Sequence, residues 1–333
     1  DWRAGYGPIA HRSETIERMQ ALVQRLVAQR RIADEASAHA LLAAADRVAC
    51  TAMSVVAHMT YARRIDRSGC PLGSDDFKQT PEGHTGGSLN MVPAFVGYLL
   101  ANALTGTTRG WLMGQGHCVA AIEAVNALTG DVSAAQRGRY DRSEAGLSRL
   151  IADFYSYAID KQGRPAVPLG SHAGPNTAGA ISEGGYLGFA GLQYVHTPLP
   201  GESLVAFLSD GAFEEHRGSD WAPRWWRAED CGFAIPVMIL NGRRIEQRTQ
   251  IVQEGGATWL AEDLRHNGFD PVIVDGRDPM AIAWAIVEAE DTLSAFAARS
   301  DRRYPVKLPY VIAETEKGFG FPGAATNAAH NLP

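Results

Sequence analysis

Two side chains with oxygen donors follow successive apolar runs of this sequence, about thirty residues apart. Asp210 and Asn241 each stand near the end of such a run, and Gly211 and Gly242 come directly after them. Magnesium prefers about six hard oxygen ligands. A carboxylate, an amide oxygen and the backbone carbonyl of Arg243 would leave places for two diphosphate oxygens and a water. An Asp-Gly pair alone is typical of a simple turn, whereas this combination predicts a magnesium-diphosphate site.

The elements that must position these residues are short strands alternating with helices. Apolar runs bounded by Gly, Asp or Asn are typical of buried parallel strands. They lie at Leu204–Leu208, Ile235–Leu240, Pro271–Val274 and Pro309–Ala313, with helical segments around 212–230, 256–268 and 278–298. This alternation predicts an α/β fold with a doubly wound, mostly parallel sheet and helices on both faces. Ligands of such sheets bind outside the carboxyl ends of the strands, where Asp210 and Asn241 stand.

The first part of the chain has a different, helical character. Segments rich in Ala, Leu, Arg and Glu predict helices over 13–31 and 34–65, before a loop at 68–76. Three further helices are expected. The first covers 88–104, the second runs from the end of GQGH (114–117) to about 128, and the third covers 143–158. We therefore expect a helical N-terminal extension over residues 1–75 and one larger domain over 76–333.

Composition excludes several classes of function. The 333 residues carry a net charge of −6, so the basic face of a nucleic-acid-binding protein is not expected. The longest apolar stretch, Met91–Leu104, is shorter than the roughly 20 residues of a membrane helix. Four cysteines without a CxxC pair predict reduced thiols in a cytoplasmic protein. No GxGxxG fingerprint follows a first strand, which argues against a nicotinamide-binding Rossmann enzyme.

Longer segments resemble one enzyme superfamily. Residues 209–242 are similar to the thiamine-diphosphate motif, with Ser209 in place of its first glycine. The segments SHAGPNTAGAISEGGYLGF (171–189), VMILNGRRI (237–245), ETEKGFG (314–320) and NAAHNLP (327–333) resemble phosphoketolase. EGHTGGSLNM (82–91) and WLMGQGHCVAAIEAVNALTG (111–130) are closer to transketolase. Together they resemble the diphosphate-binding N-terminal half of the thiamine-diphosphate-dependent phosphoketolase/transketolase superfamily, with the phosphoketolase branch nearest.

The resemblance implies a set of site residues and the cofactors thiamine diphosphate and Mg²⁺. The implied catalytic residues are His84, His117, His172, His330 and Glu215. The implied cofactor-binding residues are Gly87, Gly185, Leu187, Gly188, Asp210, Gly211, Asn241 and Lys317, and the metal ligands are Asp210, Asn241 and Arg243. Glu214 is the alternative to Glu215, because the two branches place their acid at different positions. His11, His39, His58, His196 and His266 match no family position and are interpreted as ordinary polar residues, and His216 stays undecided.

The implied function is cleavage or transfer of a two-carbon unit from a ketose phosphate, phosphoketolase-like or transketolase-like. A sugar-phosphate epimerase of the same branch and a non-catalytic cofactor-binding subunit of a split enzyme are the alternatives. The pyrimidine-binding domain of the superfamily has no counterpart here. We therefore expect another segment or chain to supply it, and the chain to be a fragment or a split subunit that works as a dimer or larger.

Overall fold

Five parallel strands form one sheet in the part of the chain that the computed structural model describes, namely residues 1–168, 202–214, 226–229 and 231–330. The strands are β1 (Gly110–Met113), β2 (Ser203–Ser209), β3 (Phe233–Leu240), β4 (Phe269–Asp275) and β5 (Leu308–Glu314). Their order across the sheet is β1-β2-β3-β5-β4, and each neighbouring pair is parallel. The carboxyl ends of all five therefore lie along one edge. The predicted fold class is confirmed.

The sheet is buried on both faces, as the apolar strand sequences predict. In β2, Val205 and Phe207 belong to one hydrophobic cluster, whereas Ala206 and Leu208 belong to a second. Successive side chains of a strand point to opposite faces, so the two clusters are the two sides of the sheet. All four of these residues are less than 10% exposed. The sheet is thus a rigid central layer that fixes the positions of its strand ends.

Ten α-helices are described around this sheet. They are α1 (Ser13–Ala28), α2 (Glu35–Tyr61), α3 (Thr85–Thr105), α4 (Val119–Thr129), α5 (Ala134–Arg137), α6 (Glu144–Asp153), α7 (Asp210–Phe213), α8 (Gln250–Glu254), α9 (Ala257–His266) and α10 (Pro279–Ala297). Helix α3 is buried between α2, α4 and α10, and residues of all four helices belong to the first cluster. The N-terminal helices therefore share a core with the sheet, and the predicted boundary near residue 75 falls in the loop between α2 and α3.

Local boundaries differ from the sequence predictions in three places. Strand β1 is not among the four predicted strands, because it has only four residues, of which Met113 alone is buried, and gives a weak apolar signal. Helix α6 ends at Asp153 rather than 158, since Phe154 adopts extended backbone. Of the helix predicted around 212–230, the described residues contain the single turn α7.

Within the described part of the chain, two helices are long and apolar enough to cross a membrane by length and composition alone. They are α2 and α3. Of the most apolar 18-residue stretch of each helix, 44% is buried inside the protein in α2 and 78% in α3. Core helices of globular domains meet the same criterion, so this observation is weak evidence for a membrane span.

Candidate functional site

A cavity of about 320 Å³ opens at the carboxyl edge of the sheet. Loops after β1, β2, β3 and β5 and the start of α3 form its wall. Its lining residues are His84, Gly87, His117, Ser209, Asp210, Gly211, Ala212, Asn241, Arg243, Arg244, Ile245, Lys317 and His330. The volume falls within the range of small-molecule sites. The structure thus brings together residues separated by more than 200 positions in the sequence.

Asp210 is the most buried charged group of this cavity, at 1% exposure. Its Oδ2 accepts hydrogen bonds from the Gly242 backbone N–H at 2.7 Å and from the Thr249 hydroxyl at 3.4 Å, and its Oδ1 accepts one from Gly211 N–H at 3.0 Å. Burial raises the pKa of Asp210 to about 7, although the two backbone donors lower it. The carboxylate is fixed in direction, and a cation at the cavity would stabilise its charged form.

Asn241 is held next to Asp210 by the turn after β3. Gly242 adopts a positive φ of 77°, which glycine tolerates and which turns its N–H toward Asp210. The Asn241 Oδ1 accepts the backbone N–H of Arg243 at 3.1 Å, and its Nδ2 donates to Asn90 Oδ1 at 3.3 Å. Both oxygen-bearing side chains therefore line the same cavity, as the sequence spacing predicts. The role of the Arg243 carbonyl as a third metal ligand stays a prediction.

Ser209 has a structural use at the position where the motif normally has glycine. Its Oγ accepts the backbone N–H of Ala212 at 3.3 Å, so it caps the single turn α7 that begins at Asp210. A small hydroxyl residue therefore fits this turn while Gly211 follows without a side chain. The departure from the motif is compatible with the geometry of the turn.

Three histidines meet in the wall of the cavity. His84 is the residue before α3, His117 lies in a single 3-10 turn after β1, and His330 follows another short turn near the end of the described chain. The ring centroid of His84 lies 4.9 Å from that of His117 and 5.1 Å from that of His330. The three predicted catalytic histidines that the structure describes therefore form one group.

Lys317 contacts both this group and the loop after β3. It is 5% exposed, and its Nζ donates to the Arg244 carbonyl at 2.7 Å and lies 3.1 Å from His330 Nδ1. Burial lowers the pKa of Lys317 to about 8. Burial, together with the charges of Lys317 and His84, lowers the pKa of His330 to about 4. At neutral pH the pair is thus a lysine ammonium beside a neutral imidazole, which can act as a hydrogen-bond acceptor.

Gly87 lets the first turn of α3 approach the 3-10 turn that carries His117. A Cβ added at Gly87 would lie 2.9 Å from Cys118 Sγ and 3.5 Å from His117 Nε2. Burial raises the pKa of the Cys118 thiol to about 12, so the thiol is protonated. The glycine therefore serves close packing under the histidine group, with Cys118 as an inert neighbour.

Glu214, the weighed alternative to Glu215, has a defined place. Its side chain is 5% exposed, its Oε1 accepts the Ile251 backbone N–H at 2.7 Å, and its Oε2 lies 2.8 Å from the Arg244 guanidinium. These partners tie α7 to α8 and to the turn after β3. Glu214 therefore stabilises the loop that carries Arg243 and Arg244.

Five predicted site residues lie outside the described part of the chain: His172, Gly185, Leu187, Gly188 and Glu215.

Conversely, the structure adds Asn90 and Thr249, which sequence reasoning missed. Both are buried polar residues. Asn90 accepts a hydrogen bond from Asn241, and Thr249 donates one to Asp210. The only signal for Asn90 is its polar type within an otherwise apolar helical stretch.

Comparison with known proteins agrees with this geometry. A family model described as XFP N-terminal domain matches residues 37–328, most of the chain. The chain belongs to the XFP N-terminal domain family. This assignment confirms the resemblance to the N-terminal half of phosphoketolases that the sequence motifs indicate.

Curated relatives of this XFP N-terminal domain carry the name probable phosphoketolase. The Streptomyces coelicolor protein is 31% identical over 215 residues, which cover 58% of this chain and 25% of the relative. Probable phosphoketolase 2 of Lactiplantibacillus plantarum is 26% identical over 286 residues, 79% of this chain and 34% of the relative. The Mycolicibacterium paratuberculosis protein is 28% identical over 268 residues, which cover 76% of this chain and 31% of the relative. The matched segment thus spans about a quarter to a third of these relatives' length.

Proposed function

We propose that this chain binds the diphosphate of thiamine diphosphate through Mg²⁺ held by Asp210 and Asn241, as part of an enzyme that cleaves a ketose phosphate in a phosphoketolase-like reaction. One observation carries the proposal. Asp210 and Asn241, at the ends of adjacent strands β2 and β3, line the same cavity as Lys317 and the histidine group. The names of the relatives support the choice of reaction.

The donor set fits a hard cation whose ligand shell is completed by a diphosphate. No group of three or more His, Cys, Asp or Glu side chains in the described residues could hold a metal ion. A transition-metal site with several imidazole or thiolate ligands is therefore not supported there. Magnesium usually binds through one or two protein carboxylates plus phosphate oxygens and water, which suits Asp210 with Asn241. The buried Asp210 carboxylate accepts its described hydrogen bonds from two backbone N–H groups and a hydroxyl, and it supplies the charge such an ion needs.

The bound cofactor would supply a carbanion and an electron sink for breaking a carbon–carbon bond. The chain's own residues would bind and orient the sugar phosphate. The Lys317 ammonium would contact a phosphate oxygen. The neutral His330, whose Nδ1 accepts from Lys317, would donate a hydrogen bond from its Nε2–H to a substrate oxygen. His84 and His117, packed against each other, would donate to or accept from further hydroxyls.

Several features of the complete enzyme belong to the same proposal. The pyrimidine-binding part of the site comes from another segment or chain, and the working form is a dimer or larger. Cleavage uses inorganic phosphate to release the two-carbon unit, rather than passing it to an aldose. The protein works in the cytoplasm, in keeping with its four free cysteines.

The test is an assay of fructose 6-phosphate consumption by the chain together with any polypeptide that co-purifies with it, thiamine diphosphate and Mg²⁺. We expect acetyl phosphate only when inorganic phosphate is present. A His330→Ala variant should lose this activity, whereas His266→Ala, which changes an exposed histidine at the end of α9, should retain it. Transfer to an added aldose without acetyl phosphate would instead indicate a transketolase-like reaction. No consumption with the cofactor bound would overturn the proposed catalysis.

A further inference from the structure

Asn90 lies behind the proposed metal site and contacts it through Asn241. It belongs to α3, three residues after Gly87, and is 1% exposed. Its carboxamide forms hydrogen bonds with residues at the ends of two strands. The Asn90 Nδ2 donates to the Glu316 carbonyl at 2.7 Å and to Thr315 Oγ1 at 3.3 Å, and both partners lie just after β5. The Asn90 Oδ1 accepts from Nδ2 of Asn241, which lies just after β3, at 3.3 Å.

The direction of the Asn90 amide is decided by the Glu316 carbonyl. A backbone carbonyl can only accept a hydrogen bond, so the amide nitrogen of Asn90 must face it. The Asn90 oxygen is then left facing Asn241. Because that oxygen can only accept, the group of Asn241 that faces it must be the NH₂ group.

The Arg243 backbone N–H fixes the same direction from the other side, because it needs an acceptor and finds Asn241 Oδ1 at 3.1 Å. Rotating the Asn241 amide by half a turn would bring two oxygens together at Asn90 and two donors together at Arg243. Each contact would leave buried or half-buried polar groups unsatisfied. The native direction leaves a second lone pair on the Asn241 oxygen for a ligand.

We infer that Asn90 is a positioning residue that holds the Asn241 amide oxygen toward the cation. This inference rests on the proposed magnesium site and goes beyond it, since it gives a role to a residue that does not line the cavity. Outer partners that orient metal ligands typically contribute about 10–100-fold to metal affinity. Without Asn90, the Asn241 amide would turn its nitrogen toward the cation in part of the population.

A double-mutant cycle separates orientation from general structural support. Mg²⁺ is titrated calorimetrically into the chain with a fixed excess of thiamine diphosphate, for wild type, Asn90→Leu, Asn241→Asp and the double variant. A carboxylate at 241 has oxygen at both positions and needs no orienting. We expect Asn90→Leu to weaken Mg²⁺ binding about 10–100-fold in the Asn241 background. It should not weaken binding in the Asp background, where one carboxylate oxygen would face Asn90 Oδ1 and the substitution removes that contact between two acceptors.

Equal losses in both backgrounds would show that Asn90 only supports the fold, and would overturn the inference. The same holds for no loss in either background. Thermal unfolding of the metal-free variants is measured in parallel, and Asn90→Ala repeats the cycle if Asn90→Leu does not fold. Asn267→Leu, at an exposed asparagine after α9, is the matched control and should bind as wild type. If wild type itself shows no Mg²⁺-dependent binding, the proposed function fails and this inference with it.

Discussion

Two buried groups of charged side chains in this chain differ in how completely they are paired. In the first, His11 lies with both ring nitrogens near carboxylates, 3.1 Å from Asp46 and 3.0 Å from Asp278, and these three side chains are 2% exposed or less. In the second, Asp210 and Lys317 are as deeply buried but face a cavity of about 320 Å³. The first group is closed to ligands, whereas the second retains charge that a ligand can meet.

The difference separates a structural use of buried charge from a binding use. The His11 group joins the N-terminal segment to α2, through Asp46, and to α10, whose first turn Asp278 caps at Met280 N–H. The interpretation of His11 from sequence as an ordinary polar residue agrees with this closed arrangement. Among the described residues, no ion pair joins Asp210 or Lys317 to a distant element, and their hydrogen bonds come from neighbouring loops. A change in the first group should therefore cost stability, and a change in the second should cost binding.

The largest effect on stability is expected from His11→Leu. The substitution leaves the carboxylates of Asp46 and Asp278 buried without their shared cation, and breaking a buried pair in this way costs about 3–5 kcal/mol of unfolding free energy. Urea unfolding followed by circular dichroism measures it. His266→Leu, at an exposed position, is the control and should change the unfolding free energy by less than about 0.5 kcal/mol. A loss for His11→Leu no larger than the control's would contradict the structural role.

The dependence of stability on pH should have opposite sign in the two groups. Burial alone lowers the pKa of His11, but hydrogen bonds and the charges of Asp278 and Asp46 outweigh it and raise the pKa from 6.5 to about 10. The unfolded chain therefore binds fewer protons between these values, and the stability that His11 contributes is lost as pH rises from 6.5 through 10. Burial instead lowers the pKa of Lys317 from 10.5 to about 8. Here the unfolded chain binds more protons, so stability rises between pH 8 and 10.5.

Unfolding free energies of wild type, His11→Leu and Lys317→Met at several pH values between 6 and 10.5 measure both signs. The advantage of wild type over His11→Leu should shrink as pH rises. Relative to Lys317→Met, wild type should gain stability above pH 8. Parallel curves for wild type and either variant would show that the substituted residue is not the source of the pH dependence.

A smaller effect is expected from Gly242→Ala, which perturbs the turn that holds Asp210. An alanine at a φ of 77° costs about 1–2 kcal/mol of stability, and its Cβ would also lie 2.9 Å from Val252 Cγ2. Gly106→Ala is the matched control, because Gly106 has a φ of 65° and open space around its Cα. Thermal unfolding should place both variants below wild type, and calorimetry should show weaker Mg²⁺-dependent cofactor binding for Gly242→Ala alone. Equal binding by both variants would mean that this turn does not position Asp210.

The sequence correctly predicts that Asp210 and Asn241 lie together at one edge of the sheet, because their signal is local. Asp210 and Asn241 each follow an apolar run, and parallel strands place their carboxyl ends on one edge. Strand order is not encoded locally, so the insertion of β5 between β3 and β4, which brings Lys317 and Glu316 to the site, could not be predicted. The network behind Asn241 was missed for a related reason, since its members come from α3 and from the ends of β3 and β5. The position of Asn90 becomes meaningful only once these elements are packed together.

The central claim is that Asp210 holds a cation that binds the cofactor diphosphate, and calorimetric titration of thiamine diphosphate with and without Mg²⁺ tests it most directly. Wild type should bind only with Mg²⁺. Asp210→Asn should weaken that binding by more than about 100-fold, above the range for residues that only orient ligands. Asp270→Asn, at an exposed carboxylate in β4, should bind as wild type. Binding that needs neither Mg²⁺ nor Asp210 would contradict the claim.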